Sequence, residues 1–210
     1  MRALVVANGE PCSQVLAAEL RAGAAIVVAA DGGADRALAL GIEPDAVVGD
    51  LDSASDEARA TLPADRFHHV GRLDMTDLQK AIGFALERGA QEVDVICAGG
   101  GRADHALANL SVLATFRGRA HVVIHDDLFA ICLVDGSEEF TAEPGTVVSL
   151  VAIGDCHGVS TSGLRWDLFE STLGFSPLGV HNEVVRSPAR VSVATGDLLL
   201  FRGRWVEHHT

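Results

Sequence analysis

Ala29-Ala30-Asp31-Gly32-Gly33-Ala34-Asp35-Arg36 reads as strand end, tight turn and helix start within one short segment. It closes the β-branched run Ile26–Ala30 and opens the helical pattern Ala34–Leu40. A strand passing straight into a helix is the opening of a βαβ unit, which implies a parallel sheet covered by helices. Glycines in such a turn let backbone amides approach a ligand closely, and the following helix start favours anions. Ligands of open α/β sheets collect at the carboxyl ends of the strands, where this turn belongs. Alone, Asp-Gly-Gly is also a common turn, and Asp31 suits a phosphate site only where a cation bridges the two.

The same rhythm extends on both sides. Ala3–Ala7, Ala46–Val48, Phe67–Val70, Val93–Cys97 and His121–His125 read as strands. Gln14–Arg21, Thr76–Arg88 and Ala103–Phe116 carry apolar residues at helical spacing. These alternations predict a doubly wound, mainly parallel sheet. After about Asp127 the helical rhythm stops. Thr146–Ile153, Gly158–Ser162, Leu178–Val185, Arg190–Ala194 and Asp197–Phe201 read as strands divided by Gly, Pro, Asp and Ser. They predict an antiparallel β-sandwich or barrel. The expected division is an α/β domain over 1–128 and a β-rich domain over 137–210.

Composition narrows the function classes. The chain has 210 residues, 48% of them hydrophobic, and a formal net charge of −13. That apolar share can bury a core and disfavours disorder. The acidity argues against a nucleic-acid binder, which needs a basic face to neutralise phosphates. The start is too short an apolar stretch for a signal peptide, and no run is long enough to span a bilayer. Four scattered cysteines without a C-x-x-C pair fit a reduced, cytoplasmic protein. Lys80 is the sole lysine among sixteen basic residues.

Three further segments carry chemistry. Val47-Val48-Gly49-Asp50-Leu51-Asp52-Ser53 places two carboxylates after a strand, where they repel each other unless a cation such as Mg²⁺ intervenes. The bland alternative is a solvated turn in which Asp52 or Ser53 caps a helix. In Leu73-Asp74-Met75-Thr76-Asp77-Leu78-Gln79-Lys80, Thr76 or Asp74 can cap a helix, with Asp77 in its first turn and Lys80 on the same side. That spacing fits a surface ion pair as well as a metal acid beside a phosphate-binding lysine. Cys97-Ala98-Gly99-Gly100-Gly101-Arg102-Ala103-Asp104-His105 leads a strand into a triple-glycine loop and a helix start. Such a loop can cradle phosphate while Arg102 grips it. It matches neither the P-loop nor the dinucleotide fingerprint.

D-G-G-A-D-R-A-L, G-D-L-D-S, D-M-T-D-L-Q-K-A-I and G-G-G-R-A-D-H-A-L-A-N-L, in this order, resemble the thiamin pyrophosphokinase family. The later Val159-Ser160-Thr161-Ser162-Gly163-Leu164-Arg165-Trp166 and the segment ending at Asn182 resemble its thiamin-binding domain. The resemblance covers nearly the whole chain. It implies transfer of pyrophosphate from ATP to the thiamin hydroxyl with Mg²⁺, releasing AMP, in a homodimer with active sites between subunits. It implies that Asp31, Asp50, Asp52 and Asp77 hold Mg²⁺ and the ATP phosphates. Gly32, Gly33, Thr76 and Gly100 would border the nucleotide, Lys80 and Arg102 would bind phosphate, and Asp104 would support that loop. Asp50, Asp52, Asp77 and Arg102 form the implied catalytic set. Ser160, Ser162, Trp166 and Asn182 would receive thiamin, whose cationic ring suits an aromatic face. No nucleic acid or membrane partner is implied.

The chain departs from the family in two places. Leu73 stands where members often carry a polar residue, which would shift a polar contact, for instance to Arg72. Gly179-Val180-His181-Asn182 replaces the usual S-x-S-N. The competing expectations are a pyrophosphokinase for another alcohol, such as a hydroxymethyl pterin, and a non-catalytic nucleotide- or thiamin-binding module.

Overall fold

Six short strands pair in parallel in the computed structural model, which describes residues 1–207. They are β1 (Arg2–Val6), β2 (Ile26–Ala30), β3 (Ala46–Gly49), β4 (Phe67–His69), β5 (Glu92–Ile96) and β6 (His121–His125). Their order is β4-β3-β2-β1-β5-β6. The chain therefore builds outward from β1 to β4, returns, and adds β5 on the other side of β1. The sheet's topological switch lies between β1 and β5, where ligands of such folds bind. β1, β2, β5 and β6 are buried after their first residue, as strands covered on both faces must be.

Helices connect these strands, and their starts follow from side-chain chemistry. α1 (Gln14–Gly23) begins at Ser13, whose Oγ accepts from the Leu16 amide at 3.3 Å. α2 (Gly33–Ala39) follows the Asp-Gly-Gly turn. The Cβ that any other residue would bring to position 33 would lie 2.1 Å from the Val6 carbonyl oxygen, so only glycine lets α2 start against β1. α3 (Asp56–Thr61) is capped by Ser55 rather than by Asp52 or Ser53. α4 (Asp77–Glu87) starts with a reciprocal Thr76–Gln79 capping box, which contributes about 1 kcal/mol. α5 (Ala103–Thr115) starts at Arg102 without a side-chain cap, leaving its first amides available to an anion. Leu4, Val6, Val27 and Ile96 of the sheet pack with Ala17 of α1 and Ala37 of α2. Ala29 and Val47 pack with Ala34 of α2 and Ala58 of α3.

The chain divides after Asp127 into two compact units. The second is antiparallel throughout. It comprises β7 (Phe129–Leu133), β8 (Ser137–Phe140), β9 (Thr146–Ser162), β10 (Ser171–Leu173), β11 (Asn182–Glu183), β12 (Ala189–Ser192) and β13 (Thr195–Val206). β9 is long enough to serve several partners. Its first half pairs with β13 and β11, and its second half with β12 and β10. The two strands expected over Thr146–Ile153 and Gly158–Ser162 are thus one. Leu178–Val185 is not a full strand. Gly179 (φ 101°) and His181 (φ 65°) break its extended backbone, and pairing is confined to Asn182–Glu183 with β9 and a single bridge from Val184 to Leu164. No helix among the described residues is long and apolar enough to cross a membrane.

Candidate active site

Three motif carboxylates converge at the carboxyl edge of the parallel sheet. One oxygen from each of Asp31, Asp50 and Asp77 lies within 4.8 Å of the others. Asp31 follows β2 in the left-handed region (φ 45°), which turns its side chain under β3. There its carboxylate accepts from the Ser53 amide at 3.2 Å and the Ala54 amide at 2.9 Å. Asp50 follows β3, and Asp77 opens α4. Gly49 makes the convergence possible. A Cβ at that position would lie 2.7 Å from Asp31 Cβ and 3.0 Å from Asp77 Oδ1, closer than side chains tolerate.

Lys80 lies behind these acids, one helical turn after Asp77. Its side chain is 3% exposed, with Nζ 2.8 Å from Asp77 Oδ1 and 3.9 Å from Asp50 Oδ2. A buried ammonium needs such partners, because burial without a counter-charge is costly. Burial holds the Asp31 carboxyl above the ordinary carboxylate range, against the two amides that lower it; Asp50 and the charge of Asp77 push it further up. Asp50 is held below that range, first by the Asp52 amide and then by Asp31 and Lys80. Fully ionised, three carboxylates and one ammonium leave two negative charges, which one hard divalent cation with oxygen preference would offset.

Asp52 does not join the cluster. Leu51 adopts φ 64°, so the two acids that flank it diverge, and Asp52 is exposed with Oδ1 accepting from Ser53 Oγ at 2.7 Å.

A cavity of about 470 Å³ opens beside the acids, at the β1–β5 switch. Asp31, Thr76 and Asp77 line it together with Gly99–Arg102 and Asn8–Glu10. The loops after β1 and β5 are zipped together, Gly9 N to Cys97 O at 2.6 Å and Glu10 N to Gly99 O at 2.9 Å. Gly100 (φ 75°) and Gly101 (φ 62°) are left-handed, the backbone of an anion-binding concavity. Arg102 borders the cavity, and Asp104 holds its guanidinium through bonds of 3.1 and 2.6 Å. Gly32 acts at one remove: a Cβ there would lie 2.3 Å from Asn8 Nδ2, so its bare backbone lets the two loops meet.

Sequence reasoning assigns no site role to four lining residues, Asn8, Glu10, Arg36 and Asn109. Asn8-Gly9 directly after the first strand is the signal that points to the first two. Leu73 is 96% exposed, and neighbouring Arg72 pairs with Asp74 at 2.6 Å.

In the second unit, Asn182 uses both ends of its amide on the Trp166 backbone. Its Oδ1 accepts from Trp166 N at 3.2 Å, and its Nδ2 donates to Trp166 O at 2.9 Å. Trp166 itself is 61% exposed. Ser160 Oγ accepts from the Glu170 amide at 2.9 Å, and Ser162 is exposed at the end of β9. The structure thus joins Asn182 to Trp166, with the two serines on the neighbouring strand.

Comparison with known proteins agrees across both units. Residues 17–124 match the family model described as "Thiamin pyrophosphokinase, catalytic domain". Residues 137–200 match "Thiamin pyrophosphokinase, vitamin B1 binding domain". Thiamine pyrophosphokinase of Bacillus subtilis is 29% identical over 189 residues, covering 83% of this chain and 86% of that protein. Thiamine pyrophosphokinase 3 of Oryza sativa is 28% identical over 190 residues, covering 80% of this chain and 68% of that protein. The crystal structure of the Bacillus subtilis enzyme superposes with a TM-score of 0.82 at 24% identity, covering 97% and 99% of the two chains. That of thiamin pyrophosphokinase from Candida albicans gives 0.80 at 16% identity, covering 98% and 89%. At these identities the structural likeness speaks for the fold.

Proposed function

The chain belongs to the thiamin pyrophosphokinase family, and from that premise we propose that it transfers the pyrophosphoryl group of ATP to the hydroxyl of thiamin, releasing AMP and thiamin diphosphate. The observation that carries this reading is the meeting of Asp31, Asp50 and Asp77 with Lys80 beside a cavity that Asp31, Asp77 and a glycine loop line. Phosphoryl transfer needs positioning and neutralisation of developing charge more than covalent chemistry from the protein.

The donor set fits Mg²⁺: three carboxylates, no nitrogen or sulfur, and a residual charge equal and opposite to the ion's. Bound there, Mg²⁺ would draw charge from the phosphate oxygens and the attacking hydroxyl. Lys80 keeps Asp77 and Asp50 oriented. The uncapped start of α5, with Gly100 and Arg102, receives the distal phosphates, while Thr76 borders them from α4. Asp52 faces solvent on the same loop. Asp77 or another acid of the cluster orients the thiamin hydroxyl.

For the second unit we assign Trp166 to the cationic ring of thiamin, with Asn182, Ser160 and Ser162 shaping its surroundings. Phe169, Phe175 and Leu178 are 84%, 70% and 65% exposed, and we assign these apolar side chains to contact with a second copy of the chain in a cytoplasmic homodimer. Incubation with ATP, Mg²⁺ and thiamin tests the reaction. AMP and thiamin diphosphate should form in equal amounts. Release of ADP, or AMP release driven by a hydroxymethyl pterin and not by thiamin, would overturn it. Light scattering tests the dimer, and a monomer at micromolar concentration would overturn that assignment.

A further inference from the structure

Glu10 places a carboxylate where the nucleotide reading of the cavity puts a phosphate. Its Oε1 accepts from the Gly101 amide at 3.2 Å, inside the left-handed Gly100–Gly101 turn. The carboxylate is seated on bare backbone: a Cβ on Gly100 would lie 2.4 Å from Glu10 Cδ and 2.6 Å from Oε2. Glu10 is delivered there by its own main chain, whose amide donates to Gly99 O at 2.9 Å. The basic residue beside it in the loop, Arg102, gives its guanidinium to Asp104 instead. The acid therefore meets a neutral amide in a concavity whose geometry suits an anion.

We propose that Glu10 is a specificity-determining residue of the nucleotide site, holding the Gly101 amide that a nucleotide phosphate must take, so that phosphate enters only by displacing it. This rests on the reading of the cavity as the ATP site. A polyphosphate, with several charges and many acceptor oxygens, displaces the carboxylate and also reaches the uncapped start of α5. A lone inorganic phosphate gains less and competes poorly. The charge of Glu10 also repels whatever phosphate arrives, so Glu10 lowers nucleotide affinity. A brace that merely held the loop would raise it.

The two roles differ in sign, which makes the test direct. ATP binding without thiamin is measured by calorimetry on the full chain, with Mg²⁺ present. Glu10→Gln keeps the size of the side chain and an oxygen for the Gly101 amide, and removes only the charge. Displacement predicts that Glu10→Gln binds ATP about tenfold more tightly, and that inorganic phosphate becomes a better competitor of ATP in the variant. Glu10→Ala should also bind more tightly. Should Glu10→Ala lose its folded transition, Glu10→Gln alone decides. ATP affinity unchanged or weaker in Glu10→Gln, with the unaltered protein binding normally, overturns the proposal and leaves the nucleotide site standing. Failure of the unaltered protein to bind ATP overturns the nucleotide site, and this proposal with it.

Discussion

Gly49→Ala adds one methyl group at the point where the acids meet, and the structure sets its cost. The new Cβ would lie 2.7 Å from Asp31 Cβ, against 3.4–4 Å for ordinary contact, and 3.0 Å from Asp77 Oδ1. The carboxylates must therefore separate by roughly 0.7 Å or more, or β3 must shift. Gly49 is buried, and its carbonyl accepts from the Val70 amide at 2.7 Å, so the backbone is not free to retreat. Overpacking of this kind costs about 1–3 kcal/mol. At about 2–4 °C per kcal/mol for a chain of this length, the unfolding temperature should fall by about 2–12 °C. Turnover should fall further, because a displacement of order 1 Å at reacting groups costs about 100-fold. Gly83→Ala is the matched control. It lies in α4 with nothing within 4 Å of the added Cβ. It should stabilise by about 0.5–1 kcal/mol through helix propensity and leave turnover unchanged. Scanning calorimetry and AMP release read both variants. If Gly49→Ala kept its unfolding temperature within about 1 °C and its turnover within about twofold, the convergence of the acids would not depend on the missing side chain.

Lys80→Met should lower turnover at least about 100-fold, because Asp50 and Asp77 lose their counter-charge, and Lys80→Arg should not restore it, since a site 3% exposed has no room for the wider guanidinium. Arginine retaining more than about a tenth of the activity would refute the compact ammonium site. Asn182→Ala removes two bonds to the Trp166 backbone, worth about 1 kcal/mol each, so it should raise the KM for thiamin about tenfold and lower the unfolding temperature by a few degrees. Trp166→Ala should raise the same KM while leaving the unfolding temperature nearly unchanged, because the ring is 61% exposed. The Arg102 guanidinium holds the Asp104 carboxyl down at about 2, below its unfolded value near 3.9. The pairing is therefore complete above that unfolded value and is lost as pH falls through about 2. A carboxyl NMR titration of Asp104 with its midpoint near 4 would show that the pair does not form in solution.

The parallel half is legible because its strands are covered on both faces. Continuous apolar runs such as Ala3–Val6 and Val27–Ala30 can be little else beside helical patterns. In the second unit the same logic misleads at Leu178–Val185. An apolar run reads as a strand whatever its backbone does, and the left-handed His181 leaves no mark in composition. Four acids after strands mark the site's neighbourhood, yet their spacing cannot say which of them converge. Asp50 and Asp52 look equivalent at two residues apart. The turn at Leu51 separates them, sending one toward Lys80 and the other to solvent. Gly49 is equally silent. Its function is to lack atoms, and that shows only once Asp31 and Asp77 are in place around it.

The distribution of backbone strain gives the site independent weight. Asp31, Leu51 and Cys97 are three of only five non-glycine residues with positive φ among the described residues. They follow β2, β3 and β5 respectively, all at the edge that borders the cavity. Such conformations cost of order 1 kcal/mol each and persist only where the surroundings over-determine them. At Asp31 the surroundings are the Ser53 and Ala54 amides, which hold a buried carboxylate that would otherwise be expelled. At Cys97 they are the Gly9 amide and the start of the glycine loop. A sheet edge serving stability alone would have glycine, asparagine or aspartate at these turns. Placing a leucine and a cysteine there spends stability on where the adjoining loops point. Those loops carry Asp31, Asp50 and the Gly99–Arg102 wall.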